Sequence, residues 1–366
     1  MSQCLTEKVS RQLREKIIAG KYKPGQKLPS ERMLEQEYGV SRITVNRAMA
    51  MLNAQGVLER RRGIGSFVAE NFGQKPEDLV GDGLVKFLST GGKVKGEVCV
   101  SSGQEGMCKE LKKHGKDLIV KYYYSESDYI SELRELESNG IFGAVIWHLP
   151  SEEGDSILGR LKKQGVRFVL LDSYCTELET DYVITDNYQG GRVMTEHLIS
   201  QGHKNIVYVT QKIRHFTSLE NRQLGFIQSI MHHGLPITGK TIFPVDSDSV
   251  EDIEAVVDDI LSCADRPTAI FASNDSVAFV VYDLLKARGV NVPEDISVAG
   301  FDDVDRSKYL EVPLTTVAQD FHEIGKKAVT ILLSIPDRGD HALCNTVKIK
   351  PSLVVRNSVR NLLTGV

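Results

Sequence analysis

The sequence predicts an α/β protein with a small N-terminal domain of three helices and a hairpin, followed by a two-lobed body with doubly wound parallel sheets. In residues 1–72, apolar side chains recur at helical spacing, and a glycine-containing hairpin follows them. From residue 97 to residue 366, short apolar strands alternate with amphipathic helices, which is the order of parallel α/β lobes. Residues 73–96 are rich in Gly and Lys and contain Pro76, which indicates a linker.

The composition is that of a globular protein with one basic part. The 366 residues are 41% hydrophobic and 26% charged, and the chain is long enough for two or three domains. Residues 1–72 contain 13 Lys and Arg and 7 Asp and Glu, a net charge of +6. The other 294 residues contain 32 and 42, a net charge of −10. A basic domain on an acidic body indicates a single nucleic-acid-binding face.

Other protein classes are disfavoured by simple patterns. The charged N-terminus lacks a signal peptide pattern, and no apolar run is long enough to span a bilayer. We therefore expect a cytoplasmic protein without a membrane partner. The six cysteines are far apart and include no C-x-x-C pair, which favours isolated thiols over a disulfide framework or a metal site. We expect no metal and no cofactor.

The first two helices are defined by apolar spacing and by their end signals. Apolar residues four apart predict a helix over residues 5–18. Ser30 is a favourable N-cap for a second helix, and Gly39 can adopt the left-handed conformation that ends it. The residues that this helix is expected to bury are Met33, Leu34 and Tyr38.

The third helix has one apolar face and one basic face. Ser41 is its predicted N-cap, and the predicted buried stripe consists of Val45, Ala48, Met49 and Leu52. The opposite face carries Arg42, Ile43, Asn46, Arg47 and Ala50. Arginine can pair with a guanine edge and asparagine with adenine, while Ser41 and Thr44 at the helix start suit phosphate. The alternative is a solvated polar face on an ordinary three-helix domain.

The hairpin that follows favours the DNA-binding interpretation. Three adjacent arginines, ending at Arg62, precede Gly63 and Gly65, which permit the positive φ of a tight turn. Like charges at an exposed tip repel one another, so they serve stability poorly. They suit the narrow and strongly negative minor groove of DNA.

These residues resemble the winged helix-turn-helix of GntR-family bacterial transcription regulators. The resemblance covers residues 5–70 and is carried by the segments IAGKYKPGQKLPSER (18–32), GVSRITVNRA (39–48) and GIGSFV (63–68). It implies that Arg32, Arg42 and Thr44 contact DNA, and that Gly63 and Gly65 shape the wing. Asn46 departs from the arginine that many members carry at this position.

The body is predicted from its strands and helices. The predicted strands are residues 97–100, 118–124, 144–147, 168–171, 182–185, 206–210, 269–272 and 297–301. The predicted helices include residues 188–201, 220–234, 250–262 and 276–288. This number of strands exceeds what one sheet usually needs, which indicates two lobes.

Polar residues follow many of the predicted strands. They are Trp147, Asp172, Asp186, Asn187, Ser218, Arg222, Asn274, Asp275, Asp302 and Asp303. In parallel α/β proteins small ligands bind at these strand ends. Carboxylates and amides beside an indole ring would suit a sugar. The alternative is that each Asp or Asn caps the next helix.

Residues 95–358 resemble the effector domain of LacI-type repressors, which has the periplasmic sugar-binding-protein fold. The segments that carry this resemblance are TDNYQGG (185–191), LISQGHKNI (198–206), NRQLGF (221–226), ASNDS (272–276), AGFDD (299–303) and PLTTVAQDF (313–321). The resemblance implies that the effector contacts Asp172, Ser218, Arg222, Asn274, Asp302 and Gln319; Trp147 is added on its chemistry alone. The short interval between Val100 and Leu118 predicts a truncated first helix, and residues 101–106 receive no site assignment.

Together these features predict a sugar-responsive repressor. A homodimer would bind palindromic double-stranded operator DNA and be released by a small carbohydrate, with an arabinose-like pentose as the leading candidate. The alternatives are an activator with the sugar as co-effector, and a cytosolic sugar-binding module without a transcriptional role. An enzyme is disfavoured, because Gly63 and Gly65 do not form a dinucleotide fingerprint and no histidine pairs visibly with a nucleophile.

Overall fold

The computed structural model describes residues 5–18, 20–54, 57–61, 65–69, 81–90, 96–137, 140–212, 216–247, 249–336 and 344–363. The chain divides into two compact units, Met1–Val80 and Gly81–Val366. Among the helices in the described ranges, none combines the length and the apolar character needed to cross a membrane.

The N-terminal unit has three helices and one hairpin. Its elements are α1 (Leu5–Ile18), α2 (Glu31–Tyr38), α3 (Arg42–Ala54), β1 (Leu58–Arg61) and β2 (Gly65–Val68), and the two strands pair antiparallel. The Ser30 side chain accepts a hydrogen bond from Met33 N, and Gly39 ends α2 at φ 63°. Both predicted helix-end signals are confirmed.

The core of this unit lies between the helices and the hairpin. The predicted stripe of α3 is buried, with Val45, Ala48 and Leu52 fully inaccessible to solvent. Leu34 of α2 is also buried, but Met33 is 58% exposed, so its predicted burial is wrong. Met33 lies one helical position before Leu34, about 100° around the axis, which turns it away from the core.

The first lobe of the second unit contains a six-stranded parallel sheet in the order β13-β7-β6-β5-β3-β4. Its strands are β3 (Gly81–Thr90), β4 (Asp117–Tyr123), β5 (Ile141–Trp147), β6 (Phe168–Leu171), β7 (Tyr182–Thr185) and β13 (Thr346–Ile349). Its helices are α4 (Gly96–Lys112), α5 (Glu126–Glu135), α6 (Glu152–Lys163) and α12 (Phe321–Ser334).

The second lobe contains a four-stranded parallel sheet in the order β11-β10-β8-β9. Its strands are β8 (Ile206–Gln211), β9 (Ile242–Val245), β10 (Ala269–Ala272) and β11 (Ser297–Ala299). Its helices are α7 (Asn187–Ser200), α8 (Thr217–His232), α9 (Val250–Ser262), α10 (Asp275–Ala287) and α11 (Arg306–Tyr309). An antiparallel ribbon is formed by β12 (Thr316–Ala318) and β14 (Ser352–Val354). The predicted two-lobed parallel α/β class is confirmed.

Three described segments of the chain connect the lobes: 185–187, 318–321 and 349–352. The first two segments are linked, because the Thr185 hydroxyl donates a hydrogen bond to Gln319 Oε1. The first and third are linked by Asp186 N, which donates to Ile349 O at 2.8 Å. The connections between the lobes are therefore hydrogen-bonded to one another.

The start of the body differs from the sequence prediction. Strand β3 occupies part of the segment predicted to be a linker and lies between β4 and β5 in the sheet. Lys86 in this strand is buried, with its Nζ 2.7 Å from Glu132 and 3.1 Å from Glu135 of α5. This buried lysine and the flanking glycines obscured the apolar pattern of the strand.

The predicted strand at residues 97–100 is also wrong, because these residues belong to α4, a helix of 17 residues. The first helix is therefore not truncated. Helix α4 packs closely on α12: a Cβ added at Gly106 would lie 2.1 Å from His322 O, and one added at Gly325 would lie 2.2 Å from Gly103 O. Tertiary packing against α12 stabilises α4 although valines favour strands.

Candidate nucleic-acid interface and ligand cavity

The start of α3 presents hydroxyl groups beside an exposed arginine. Ser41 Oγ accepts a hydrogen bond from Thr44 N at 3.3 Å and lies 3.0 Å from Thr44 Oγ1, so Ser41 caps the helix. The Arg42 side chain is 75% exposed, and its Nε donates to Glu31 Oε2 at 3.1 Å. Because exposed ion pairs contribute little stability, Arg42 can exchange this contact for a base edge or a phosphate at low cost.

Other residues of the predicted DNA-binding set are accessible. Arg47 is exposed on α3, Asn46 is half-buried, and Arg32 is exposed on α2. Three predicted contacts lie outside the described residues, namely the Ile43 side chain, Arg62 and Gly63. With Arg42, the described part of the set thus places three arginines and one asparagine where solvent, and hence DNA, can reach them.

The strand that follows the hairpin tip is held by the loop before α2. Gly65 has φ 132°, a value that side chains disfavour, and a Cβ added there would lie 2.8 Å from Lys27 Cε. Val68 N donates to Gln26 O at 2.9 Å, which ties β2 to this loop. Lys27 therefore lies against the hairpin, a placement that its position in the sequence did not predict.

In the second unit, a cavity of about 170 Å³ opens between the two lobes. Strands of both sheets point their C-terminal ends at it, since Thr90, Trp147 and Gln211 are the last residues of β3, β5 and β8. The structure brings together at this cavity six of the seven residues predicted for the effector: Trp147, Asp172, Ser218, Arg222, Asp302 and Gln319.

Arg222 is the central cation of the cavity wall. It is buried on α8, where Nε donates to Asn187 Oδ1 at 2.7 Å and Nη1 donates to Ser273 O at 2.8 Å. Its Nη1 lies 3.5 Å from Asp302 Oδ1, and the guanidinium lies 3.8 Å from the centre of the Phe301 ring. These contacts from three segments of the chain fix the orientation of the guanidinium before a ligand arrives.

Two carboxylates line the cavity from opposite lobes. Asp302 accepts a hydrogen bond from Gln319 Nε2 at 2.6 Å, and Asp172 accepts one from Ser218 Oγ at 3.2 Å. Both aspartates have positive φ, 124° at Asp302 and 66° at Asp172. Non-glycine residues rarely adopt this conformation, and such strain concentrates at functional sites.

Another buried carboxyl group, that of Asp275, supports the loop that carries Asp302. Asp275 Oδ2 accepts hydrogen bonds from Val304 N at 3.0 Å and Ser307 Oγ at 2.7 Å, and its Oδ1 accepts one from Thr316 Oγ1 at 2.6 Å. Burial, together with the negative charge of Asp302, raises the pKa of Asp275 from 3.8 to about 7. Asp275 thus holds the position of the loop that carries a cavity carboxylate.

The other part of the wall is aromatic. Trp147 and Phe321 stack with ring centres 6.1 Å apart and an interplanar angle of 29°. The Tyr123 hydroxyl donates to Trp147 O at 2.8 Å, and burial raises the pKa of this tyrosine. Phe216 also lines the cavity. A ring with apolar C–H faces and polar edges matches such a wall.

The remaining predicted effector residue, Asn274, does not line the cavity. It is fully buried at the start of α10, where its Oδ1 accepts a hydrogen bond from Val277 N at 3.0 Å, so the capping alternative describes its contact. Sequence reasoning in turn missed Thr90, Tyr123, His148 and Phe216. Thr90 was missed because β3 was interpreted as linker, whereas His148 could have been found from its place directly after β5.

Two protein families match separate parts of the chain. Residues 5–68 match the gntR family of bacterial regulatory proteins, and residues 195–359 match the periplasmic binding protein-like domain. The arabinose metabolism transcriptional repressor of Geobacillus stearothermophilus is 26% identical over 355 residues, which cover 94% of this chain and 95% of that protein.

Two further proteins are similar to part of the chain. The repressor PurR of Aliivibrio fischeri strain MJ11 is 33% identical over 234 residues, which cover 63% of this chain and 68% of that protein. A LacI family transcriptional regulator from Enterococcus faecium, solved with bound ribose, is 27% identical with a TM-score of 0.63. The similarity covers 76% of this chain and 99% of that protein. The chain belongs to the GntR-headed bacterial transcription regulators that carry a LacI-type, periplasmic-binding-protein-like effector domain.

Proposed function

We propose that this regulator is a cytoplasmic repressor, without enzymatic activity, which binds a palindromic operator as a homodimer and is released by a monosaccharide. The observation that carries the proposal is the interlobe cavity, which Asp172, Asp302 and Arg222 line together with an aromatic wall. Carboxylate and guanidinium groups bind hydroxyls, and the stacked rings suit the C–H face of a sugar.

An aldopentose of the arabinose type is the preferred effector. The cavity of about 170 Å³ is smaller than the clefts of roughly 300–1,000 Å³ that hold drug-sized ligands, which favours a monosaccharide over a disaccharide. The name of the Geobacillus relative and the ribose bound to the Enterococcus regulator support this choice.

For the DNA-binding unit we propose that α3 enters the major groove and that the hairpin reaches the adjacent minor groove. Arg42 and Asn46 would read base edges, while Ser41, Thr44, Arg32 and Arg47 would contact phosphates or flanking bases. Two such units on one dimer would match the two half-sites of a palindrome.

Release of DNA requires the sugar to prefer one arrangement of the lobes. Polar contacts to the sugar would come from Asp172 in the first lobe and from Asp302 and Arg222 in the second, so all three form only when the lobes are close together. A ligand that binds the closed body more tightly shifts the population toward it, and operator affinity falls by the same coupling factor.

The test has two stages that use the full-length chain. Duplexes selected from a random pool are first measured by fluorescence anisotropy, with Arg42→Ala as a variant that should lose operator affinity and keep sugar binding. L-arabinose, D-ribose, D-glucose, cellobiose and a pentose phosphate are then added, and the change in melting temperature is measured in parallel.

We expect a pentose both to raise the melting temperature and to lower operator affinity. If the sugar instead tightens DNA binding, the protein uses it as a co-effector and the repressor mechanism is wrong. If no duplex is selected and Arg42→Ala behaves as the wild type, the DNA-binding proposal fails as a whole.

A further inference from the structure

Three side chains of the first lobe that are separate in the sequence meet beside the cavity wall. His148 directly follows β5, Asp155 lies in the first turn of α6, and Cys175 follows β6. His148 Nε2 lies 2.8 Å from Asp155 Oδ1, while Cys175 Sγ lies 3.5 Å from His148 Nε2 and 3.3 Å from Asp155 Oδ1. One nitrogen, one oxygen and one sulfur atom thus converge on one point.

This donor set is the one that zinc-class ions select. Zinc is bound by imidazole nitrogen and carboxylate oxygen at about 2.0–2.2 Å and by thiolate sulfur at about 2.3 Å, in tetrahedral geometry. Those bond lengths separate neighbouring ligand atoms by about 3.3–3.6 Å. Two of the three observed separations already lie close to this range, and only the His148–Asp155 pair has to open, by roughly 0.5 Å.

The burial of the three residues also suits an ion with one open coordination position. The His148 side chain is inaccessible to solvent and Cys175 is buried, so two ligands are shielded from competing water. The Asp155 side chain is 37% exposed, which leaves a route for the ion and a place for a water molecule as fourth ligand.

We propose that His148 Nε2, Asp155 Oδ1 and Cys175 Sγ bind one divalent ion of the zinc class, with water completing the tetrahedron. Binding exchanges the Cys175 S–H bond for a sulfur–metal bond, and the thiol proton passes to solvent. The ion would fasten the segment after β5 to α6 and to the segment after β6. It would do so beside the ligand cavity, which His148 also lines.

The competing explanation is a hydrogen-bonded trio in which the Cys175 thiol and the His148 ring both donate to Asp155. The two explanations differ in what a metal does to the sulfur. A bound ion requires a thiolate ligand, whereas a hydrogen-bonded trio keeps the thiol protonated and gives no metal–sulfur bond.

The experiment titrates full-length protein, first stripped with EDTA, with CoCl₂ and records its absorption spectrum. We expect one equivalent of Co²⁺ to give a thiolate-to-cobalt charge-transfer band with the visible bands of tetrahedral cobalt, and Zn²⁺ to abolish both. Cys175→Ser should lose the charge-transfer band. Asp155→Asn, a conservative change at a partly exposed side chain, should weaken Co²⁺ binding by at least about tenfold.

The matched control is Cys263→Ser, which removes a thiol from the second lobe, where Cys263 ends α9 and donates to Asp259 O. It should keep the wild-type spectrum and affinity. The proposal is overturned if saturating Co²⁺ gives no charge-transfer band in the wild type, or if the band is unchanged in Cys175→Ser. Should Cys175→Ser fail to fold, an unchanged Co²⁺ affinity of Asp155→Asn overturns it equally.

Discussion

The two lobes contribute different kinds of surface to the cavity. In the second lobe, Arg222 and Asp302 are buried and bonded to several segments, so their orientations are fixed before a ligand binds. The first lobe contributes Asp172 and the stacked pair Trp147 and Phe321, whose rings also pack against the cores of both lobes. The difference suggests that the second lobe orients a ligand and that the first lobe closes over it.

The largest effect is expected for Arg222→Ala, which removes the central cation of the second-lobe surface. Removing one partner of a buried charge pair typically costs about 3–5 kcal/mol, because the other charge is left unpaired. We expect a large loss of stability in urea unfolding and no response of operator binding to sugar, while the operator is still bound at low temperature.

The control for this change is Arg306→Ala. Arg306 also lies over a phenylalanine ring, 4.6 Å from the centre of Phe279, and it pairs with Asp283, but its side chain is 52% exposed. Its loss should cost less than about 1 kcal/mol and leave the sugar response intact. A similar response to sugar in both variants would contradict the central role of Arg222.

The pH dependence of stability tests the buried carboxyl group of Asp275 in the second lobe. The pKa of Asp275 is raised from 3.8 to about 7, so the folded chain retains a proton that the unfolded chain loses. The contribution of Asp275 to stability is therefore expected to fall as pH rises from about 4 to about 7 and to become level above that range. Burial lowers the pKa of His197 and of His203, and these two groups act in the opposite direction below about pH 6.5. The measurement is the urea midpoint at a series of pH values.

Asp275→Asn isolates this contribution, because an amide does not titrate. The variant should lose the part of the decline that lies between about pH 4 and pH 7, while Asp283→Asn, an exposed carboxylate of the same helix, should keep it. If Asp275→Asn shows the wild-type decline, other groups cause it and Asp275 is ionised in the folded protein.

Removing part of the aromatic wall should have an intermediate effect on sugar affinity. Trp147→Ala removes the ring that stacks on Phe321, and aromatic contacts of this kind contribute about 0.5–1.5 kcal/mol beyond area burial. We expect sugar affinity to fall by about tenfold or more in calorimetry, with operator affinity unchanged in the absence of sugar. Tyr174→Ala, which removes a ring stacked on Tyr182 in the same lobe, should leave sugar affinity unchanged.

How well the sequence predicted each part depended on where polar residues lie. In the N-terminal unit the buried stripe of α3 and the Ser30 cap follow from local rules, and both were predicted. In the first lobe, β3 was hidden because Lys86 is neutralised by Glu132, a residue 46 positions later that no local pattern reveals.

At the candidate site, too, local sequence rules predicted only some of the residues correctly. The strand-end rule placed Asp172, Arg222 and Asp302 among the candidates, because parallel strands bring their C-terminal ends to one edge, and the resemblance to LacI-type repressors selected them. The same rule could not separate Asn274, whose carbonyl oxygen caps α10, from residues that line the cavity. Cap and ligand contact use the same side chains at the same positions, so only the packed structure distinguishes them.

The smallest expected effect tests whether the two lobes act together. Ser218 of the second lobe donates to Asp172 of the first at 3.2 Å, a direct hydrogen bond between the lobes. Its loss in Ser218→Ala should cost about 0.5–1.5 kcal/mol, so sugar affinity should fall by roughly two- to tenfold. Ser200→Ala, whose hydroxyl donates to His197 O and accepts from Gln201 Nε2, both far from the cavity lining, should show no such change. Equal sugar affinities in the two variants would mean that Asp172 is positioned without Ser218.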